Sequence, residues 1–357
     1  MTAATSDDGD ILAWREGAAG VIRLNRPKTI NALTLEMVRH IDAALDDFEG
    51  NRDVGVILLE GAGERGLCAG GDIRSLYDSS LAGGDLGAQF WREEYRLNAR
   101  IARFPKPYVA FMDGLVMGGG VGLSSHGSHR VVTDRTRLAM PEVGLGFFPD
   151  VGGTWLLSRG ASEIGTFLTL TGQPIGGSDV IAAGLADFEV KAAVLPQLRQ
   201  ALTQVSPGVT ADSVTRLLAG FAETGKVAPL AALLGEINAL FAFDDMGSIV
   251  AALTAHDSPF ARDTLEKLAG KSPRGMVVAL KLLRLGRQAQ SLEECLVREY
   301  RAAREVFRSD DFREGVRAVV VDKDRNPKWS PSRIEDVTPA TIAPYFAEIG
   351  ADELTFT

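Results

Sequence analysis

The chain has 357 residues, 45% of them hydrophobic and 24% charged, and a formal net charge of −9. That is enough to bury a sizeable core, in one large domain or two, and too acidic for a broad nucleic-acid footprint, which needs clustered Lys and Arg. Two cysteines, Cys68 and Cys295, rule out a disulfide framework and suit the cytosol.

The first ten residues, Met1–Asp10, are acidic and polar, so neither a signal nor a transit peptide is expected there. No apolar run approaches the roughly 20 residues of a membrane span. GVIRLNRP (Gly20 to Pro27) reads as a strand that stops at a proline. Leu33 to Gly50 follows as a helix, with Leu35, Val38, Ile41, Ala44, Leu45 and Phe48 at helical spacing, Thr34 at its start and Gly50 as its stop. VGVILLEG (Val54 to Gly61) is apolar throughout, as a strand buried on both faces must be. A second long helix covers Leu86 to Phe104, and PYVAFMDG (Pro107 to Gly114) and HRVVTD (His129 to Asp134) are further strands. This recurrent strand–turn–helix order predicts an α/β core over residues 1–205. Beyond it the pattern is helical to residue 357, apart from AVVVDK (Ala318 to Lys323), which reads as a strand. The Pro-rich stretch PKWSPSRIEDVTP is expected to lie extended on the surface.

Three motifs carry chemistry. CAGGD (Cys68 to Asp72) and MGGGVG (Met117 to Gly122) each follow an apolar strand. Glycine lets backbone approach a ligand closely, so two such loops could aim two N–H groups at one point and hold a developing oxyanion; they could also be tight turns. The third, MPEVGLGFFPDVGG (Met140 to Gly153), holds Glu142 and Asp150, each stiffened by a preceding proline, with an apolar segment between them. A carboxylate against apolar walls has a raised pKa and can act as acid, base or nucleophile. Asp150 also stands where a helix N-cap would, and Glu142 where a strand ends. GAGERG (Gly61 to Gly66) follows a strand but opens no helix, which argues against a dinucleotide fingerprint. His126 and His129 read as structural and Cys68 as a small buried hydrophobe. No His, Cys or acid falls at metal-ligand spacing.

CAGGDIRSL, PYVAFMDGLVMGGGVGLSSH and LAMPEVGLGFFPDVGGTWLL together resemble the crotonase superfamily of acyl-CoA enzymes, a match running from Trp14 to Gly184 with support from NRPKTINAL (Asn25 to Leu33). The resemblance implies an α/β fold, a right-handed spiral of ββα units followed by a helical C-terminal region. It implies that the oxyanion N–H groups come from Gly71 and Gly119. Hydratases of the superfamily carry two glutamates, one following the proline of the third motif and one three residues after the middle glycine of the second. Here the first of these is Glu142, but the other position holds Gly122, and hydration needs two carboxylates to hold and deprotonate one water. FFPDVGG, REEY (Arg92 to Tyr95) and VGLSSHG resemble instead the 3-hydroxyisobutyryl-CoA hydrolase branch, which implies Glu94, Gly119, Glu142 and Asp150 as substrate contacts and a place in valine catabolism. Lys28 and Arg74 stand where the superfamily often binds the coenzyme A phosphates; either could be only a solvated charge.

The expected reaction is hydrolysis of a short-chain 3-hydroxyacyl-CoA, its carbonyl held by Gly71 and Gly119 and attacked either by Glu142 or by a water that Glu142 deprotonates. Asp150, with Glu94, would bind the 3-hydroxyl or orient Glu142. No cofactor is expected, since coenzyme A is part of the substrate. The alternatives are an enoyl-CoA hydratase or isomerase using Glu142 with Asp150 or Glu94, and a non-catalytic acyl-CoA-binding protein. No nucleic-acid or membrane partner is expected; a cytoplasmic location is, and the helical region leaves room for a homo-oligomer.

Overall fold

The computed structural model describes residues 9–160 and 162–356, so most of the acidic stretch Met1–Asp10, and the reading of it as leaderless, lies outside the described residues. Contacts gather the chain into two compact units interleaved in sequence. The first comprises Met1–Gly71, Arg96–Leu138 and Pro174–Pro229, the second Asp72–Tyr95, Ala139–Gln173 and Leu230–Thr357.

In the first unit, strands β1 (Ile11–Glu16), β2 (Ala19–Leu24), β3 (Val56–Gly61), β5 (Tyr108–Met112), β7 (His129–Thr133) and β9 (Phe188–Val190) form a six-stranded sheet in that order. The β1–β2 pair is antiparallel and the other pairs are parallel. Strands β4 (Gly66–Cys68), β6 (Leu115–Met117) and β8 (Arg137–Ala139) form a second, three-stranded sheet. From β3 onward the chain therefore alternates between the sheets, one strand in each per turn, which is a spiral of ββα units. Alternate residues of the large sheet (Ala19, Val21, Val56, Leu58, Val109, Phe111, Val131, Val190) pack on Leu198, Leu202, Val214 and Leu218 of helices α8 (Leu195–Thr203) and α9 (Ala211–Ala219). The opposite set, including Ile22, Ile57, Leu59, Ala110 and Met112, is equally buried. This explains the unbroken apolar run of β3. Helix α1 (Leu35–Gly50) buries Val38, Ile41, Ala44, Leu45 and Phe48, and the Thr34 side chain caps it by accepting from Met37 N.

The second unit holds α2 (Ile73–Leu81), the first ten residues of α3 (Leu86–Ala102), α5 (Gly153–Ser158), α6 (Ile164–Thr171) and the C-terminal helices α10 (Leu234–Phe241), α11 (Met246–Ala255), α12 (Pro259–Ala269), α13 (Pro273–Gln288), α14 (Leu292–Phe307) and α15 (Asp310–Val316). The short α4 (Gly119–Ser124) and α7 (Gly177–Ala182) belong to the first unit. Trp91 stacks on Phe147 at 5.1 Å between ring centroids and Phe147 on Phe148 at 4.5 Å, with Phe307 edge-on to Trp91.

The predicted strand at Ala318–Lys323 is not one. Residues Arg317–Val321 continue α15 as a wide helical turn, closed by a bond from Asp322 N to Arg317 O. Its β-branched valines are overruled by the preceding helix, which buries Phe312, Gly315 and Val316. Arg317 then pairs with Glu314, Asp322 and Asp324 and locks the turn. The Pro-rich stretch after it is irregular and largely exposed, as expected, with one short 3-10 turn at Ile334–Asp336.

Candidate active site

Within the first unit the two glycine loops leave neighbouring parallel strands, since β4 pairs with β6. Each loop then runs into a helix start: Gly71 precedes Asp72, the cap of α2, and Gly119 is the first residue of α4. The loops are close. A Cβ at Gly70, whose φ is +104°, would lie 3.9 Å from Gly119 N. At Gly120 a Cβ would sit 2.8 Å from both the Cβ and the carbonyl oxygen of Cys68, so no side chain fits between β4 and α4. Leu33 N donates to Gly70 O at 2.8 Å, and the Asn31 amide donates to the carbonyls of Ala62, Gly66 and Leu67. The NRPKTINAL segment therefore has a structural role, which is to pin the first loop. The opening N–H groups of a helix have no intrahelical acceptor, so adjacent loops of this kind can hold negative charge on an oxygen.

The second unit gathers the acids. Glu142 opens the turn Glu142–Leu145 after Pro141, Asp150 ends the Phe147–Phe148–Pro149 wall, and Glu94 lies on α3; all three are buried. The hydroxyl of Tyr95, Glu94's neighbour, donates to Asp150 Oδ2 at 2.7 Å. Glu142 Oε2 and Glu94 Oε1 are buried with no hydrogen-bond partner among the described residues. Burial pushes the Glu94 carboxyl well above the ordinary carboxylate range, and the charges of Asp150 and Glu142 add to it. Burial does the same to Glu142, with Asp150 adding and Lys271 opposing. Asp150 is pushed up to about 7 by burial and by the Glu299 charge, against the pull of the Tyr95 bond. Lys271 is lowered by burial, partly offset by Glu142. A carboxyl near 7, as Asp150 is, exchanges protons at working pH, as acid–base groups must.

Asp150 does not cap the helix after it. Val151 and Gly152 both take left-handed conformations, φ 52° and 77°, and the cap of α5 is Gly152, without a side-chain bond of its own. The carboxylate found there is Glu299 of α14, which accepts from Gly152 N at 2.7 Å, Thr154 N at 3.0 Å and Thr154 Oγ1 at 2.5 Å. Glu299 lies in none of the sequence motifs, and Tyr95 ends the REEY motif without a role being read for it there. A signal for Glu299 is nonetheless present: it sits on the apolar stripe of its helix with Cys295, Leu296, Tyr300 and Ala303, where an acid is out of place.

Lys28 and Arg74 are both exposed, Lys28 in the turn Pro27–Thr29 of the first unit, Arg74 on α2 of the second. Arg74 is paired with Asp78 one helical turn on, at 3.0 Å. Gly122 is buried within α4. His129 is bonded through its ring to Ser128, Ala211 O and Thr215, and the buried Cys68 thiol donates to Asn31 O, as structural residues do. The GAGERG loop joins β3 to β4 with no helix between. Among the described residues no group of three or more His, Cys, Asp or Glu side chains is arranged to hold a metal ion, and no helix is long and apolar enough to cross a membrane.

The profile of a family described as enoyl-CoA hydratase/isomerase matches residues 19–346. The chain is 41% identical over 359 residues to the mitochondrial 3-hydroxyisobutyryl-CoA hydrolase of Xenopus tropicalis, covering 99% of this chain and 93% of that protein. It is 38% identical over 362 residues to that of Homo sapiens, with 100% and 93% covered. Among solved structures it resembles a carnitinyl-CoA dehydratase from Mycobacterium thermoresistibile, with a TM-score of 0.92, 45% identity, and 98% and 99% of the two chains covered. It also resembles an enoyl-CoA hydratase from Rhodobacter sphaeroides 2.4.1, with a TM-score of 0.90, 41% identity, and 98% and 100% covered.

Proposed function

Since this chain belongs to the enoyl-CoA hydratase/isomerase family, whose crotonase-like spiral of ββα units it shares, we propose that it hydrolyses a short-chain 3-hydroxyacyl-CoA of the 3-hydroxyisobutyryl-CoA type to the free acid and coenzyme A. The observation that carries the reading is Glu142, a buried carboxyl with an unpartnered oxygen and a raised pKa. The backbone N–H groups of Gly71 and Gly119 hold the thioester oxygen as it becomes an oxyanion. Glu142 acts at the carbonyl carbon by one of two routes. It attacks directly, forming a mixed anhydride that water then cleaves, or it takes a proton from the water that attacks. In both, the C–S bond breaks and the sulfur leaves as thiolate, whose parent pKa near 8.5 means that it needs little protonation. Asp150, with Glu94, bonds the 3-hydroxyl or orients Glu142, and Lys28 and Arg74 meet the phosphates of coenzyme A.

Hydration is the competing reading, and the two similar structures are of a carnitinyl-CoA dehydratase and an enoyl-CoA hydratase. Gly122 speaks against it, since glycine cannot supply the second water-holding carboxylate. A binding protein without activity would have no use for buried unpartnered acids, which cost stability. Thiol release from 3-hydroxyisobutyryl-CoA, followed beside loss of enoyl thioester absorbance from a short enoyl-CoA, separates the three. Enoyl hydration as fast as thiol release would overturn the hydrolase reading, and neither reaction would leave a binding protein.

Coenzyme A enters and leaves with the substrate, so the reading requires no cofactor, and it assigns the reaction to valine catabolism. A cytoplasmic location rests on two buried cysteines outside any disulfide, while the named relatives are mitochondrial; cell fractionation decides between these compartments. A homo-oligomer through the helical region is compatible with the chemistry and is read by light scattering.

A further inference from the structure

We propose that Glu299 is a positioning residue for this reaction: its carboxylate clamps the Val151–Gly152 turn and so fixes where Asp150 presents its carboxyl group. The inference rests on the reading that Asp150 meets the 3-hydroxyl. Glu299 is fully buried on α14, at a position on the apolar stripe of that helix. Among the described residues no cation pairs with it; the bonds it accepts come from Gly152 N, Thr154 N and Thr154 Oγ1. Burying a carboxylate on such terms is costly, and the turn it holds explains why it is there. Val151 is β-branched yet left-handed, at φ 52°, a strained conformation that persists only where surroundings enforce it. Gly153 N closes the turn on Asp150 O at 2.6 Å. Asp150 is thereby held from its C-terminal side by the Glu299 clamp and at its carboxyl by the Tyr95 hydroxyl. Release of the clamp lets Val151 relax and swings Asp150 off its target.

The test uses the full chain and two substrates, 3-hydroxyisobutyryl-CoA and isobutyryl-CoA, which lacks the hydroxyl. In Glu299→Gln one amide N–H faces a donor of the turn, so the clamp turns partly repulsive. The ratio of kcat/KM for the two substrates is expected to fall between about ten- and a hundredfold, the range that a displaced group costs. Thr154→Val removes only the hydroxyl bond and should give a smaller fall of the same sign; it carries the test if the Gln variant does not fold. In an Asp150→Asn background neither change should move the ratio further. Equal losses on both substrates, or a further fall in that background, overturn the inference and leave Glu299 a structural cap. If the ratio responds to Asp150→Asn but not to the clamp variants, the inference alone fails. If it does not respond to Asp150→Asn, the reading of Asp150 fails and takes the inference with it.

Discussion

Replacing Asp150 by asparagine is expected to stabilise the fold above neutral pH while damaging the reaction. In the folded chain the Asp150 carboxyl is raised from 3.8 to about 7, chiefly by burial. A group whose folded pKa exceeds its unfolded one binds its proton more tightly in the folded state. Its stabilising contribution is therefore complete below 3.8 and is lost as pH rises to about 7. At about 1.4 kcal/mol per pKa unit, the whole step amounts to roughly 4 kcal/mol. Asparagine keeps the shape and an acceptor for the Tyr95 hydroxyl but never ionises. The variant should gain up to roughly 4 kcal/mol over the wild type near pH 8 and almost nothing near pH 4. Urea unfolding at the two pH values reads this as a midpoint that moves up only at the higher one, with an unchanged slope. The same variant should lose more turnover of 3-hydroxyisobutyryl-CoA than of isobutyryl-CoA, since a site built to bond a hydroxyl discriminates strongly against its absence. A midpoint that falls near pH 8 would show that the carboxylate is stabilised where it sits, and would refute the argument from burial.

Glu142→Gln should abolish thiol release while acyl-CoA binding, measured by calorimetry, survives; a loss below about tenfold, against the 10²–10⁴ usual for a general base, would remove Glu142 from its role. Lys271→Met deletes the cation that opposes the rise of Glu142, so the acidic limb of the kcat/KM–pH profile should move to higher pH, and an unmoved limb would mean that Glu142 does not govern it. Gly122→Glu should lower hydrolysis, because under the proposed function it adds a second carboxyl at the reacting centre, where two do not both ionise readily; hydrolysis at the wild-type rate would place Gly122 away from that centre.

Much of the fold is legible in the sequence because the elements that set it are locally consistent. The apolar run of β3, the stripe of α1 and the strand–glycine–helix order each carry their own period. The Ala318–Lys323 segment misleads because a run of β-branched residues is ambiguous in so short a window. What decides it is long-range packing at Phe312 and Gly315. Glu142 and Asp150 are legible for a chemical reason: each follows a proline in an otherwise apolar stretch. Glu299 is hidden because it lies 147 residues from Gly152 of the turn it holds, and only folding reveals that the backbone N–H groups of Gly152 and Thr154 are its partners. The choice between a helix cap and a reactive acid at Asp150 is likewise beyond the sequence, since another acid takes the capping place.

The buried acids of the second unit differ in how completely their oxygens are bonded, and that difference separates their roles. Glu299 is bonded through both oxygens, by three donors from one turn, and so has nothing left to offer a substrate. Asp150 accepts one side-chain bond, from Tyr95, through Oδ2. Glu142 and Glu94 each keep one buried oxygen with no partner among the described residues. A buried polar atom left unpaired costs on the order of 1–3 kcal/mol, a cost that selection tolerates where the atom is paired during function. Saturation thus runs from the acid proposed to hold the turn to the acids proposed to meet reactants. Charge separates the two unpartnered acids, because Lys271 opposes the rise of Glu142, whereas the charges that act on Glu94 are those of the acids Asp150 and Glu142. Of the two unpartnered carboxyls, Glu142 is thus the one with a charge favouring its ionised form, which suits the attacking or proton-taking role proposed for it.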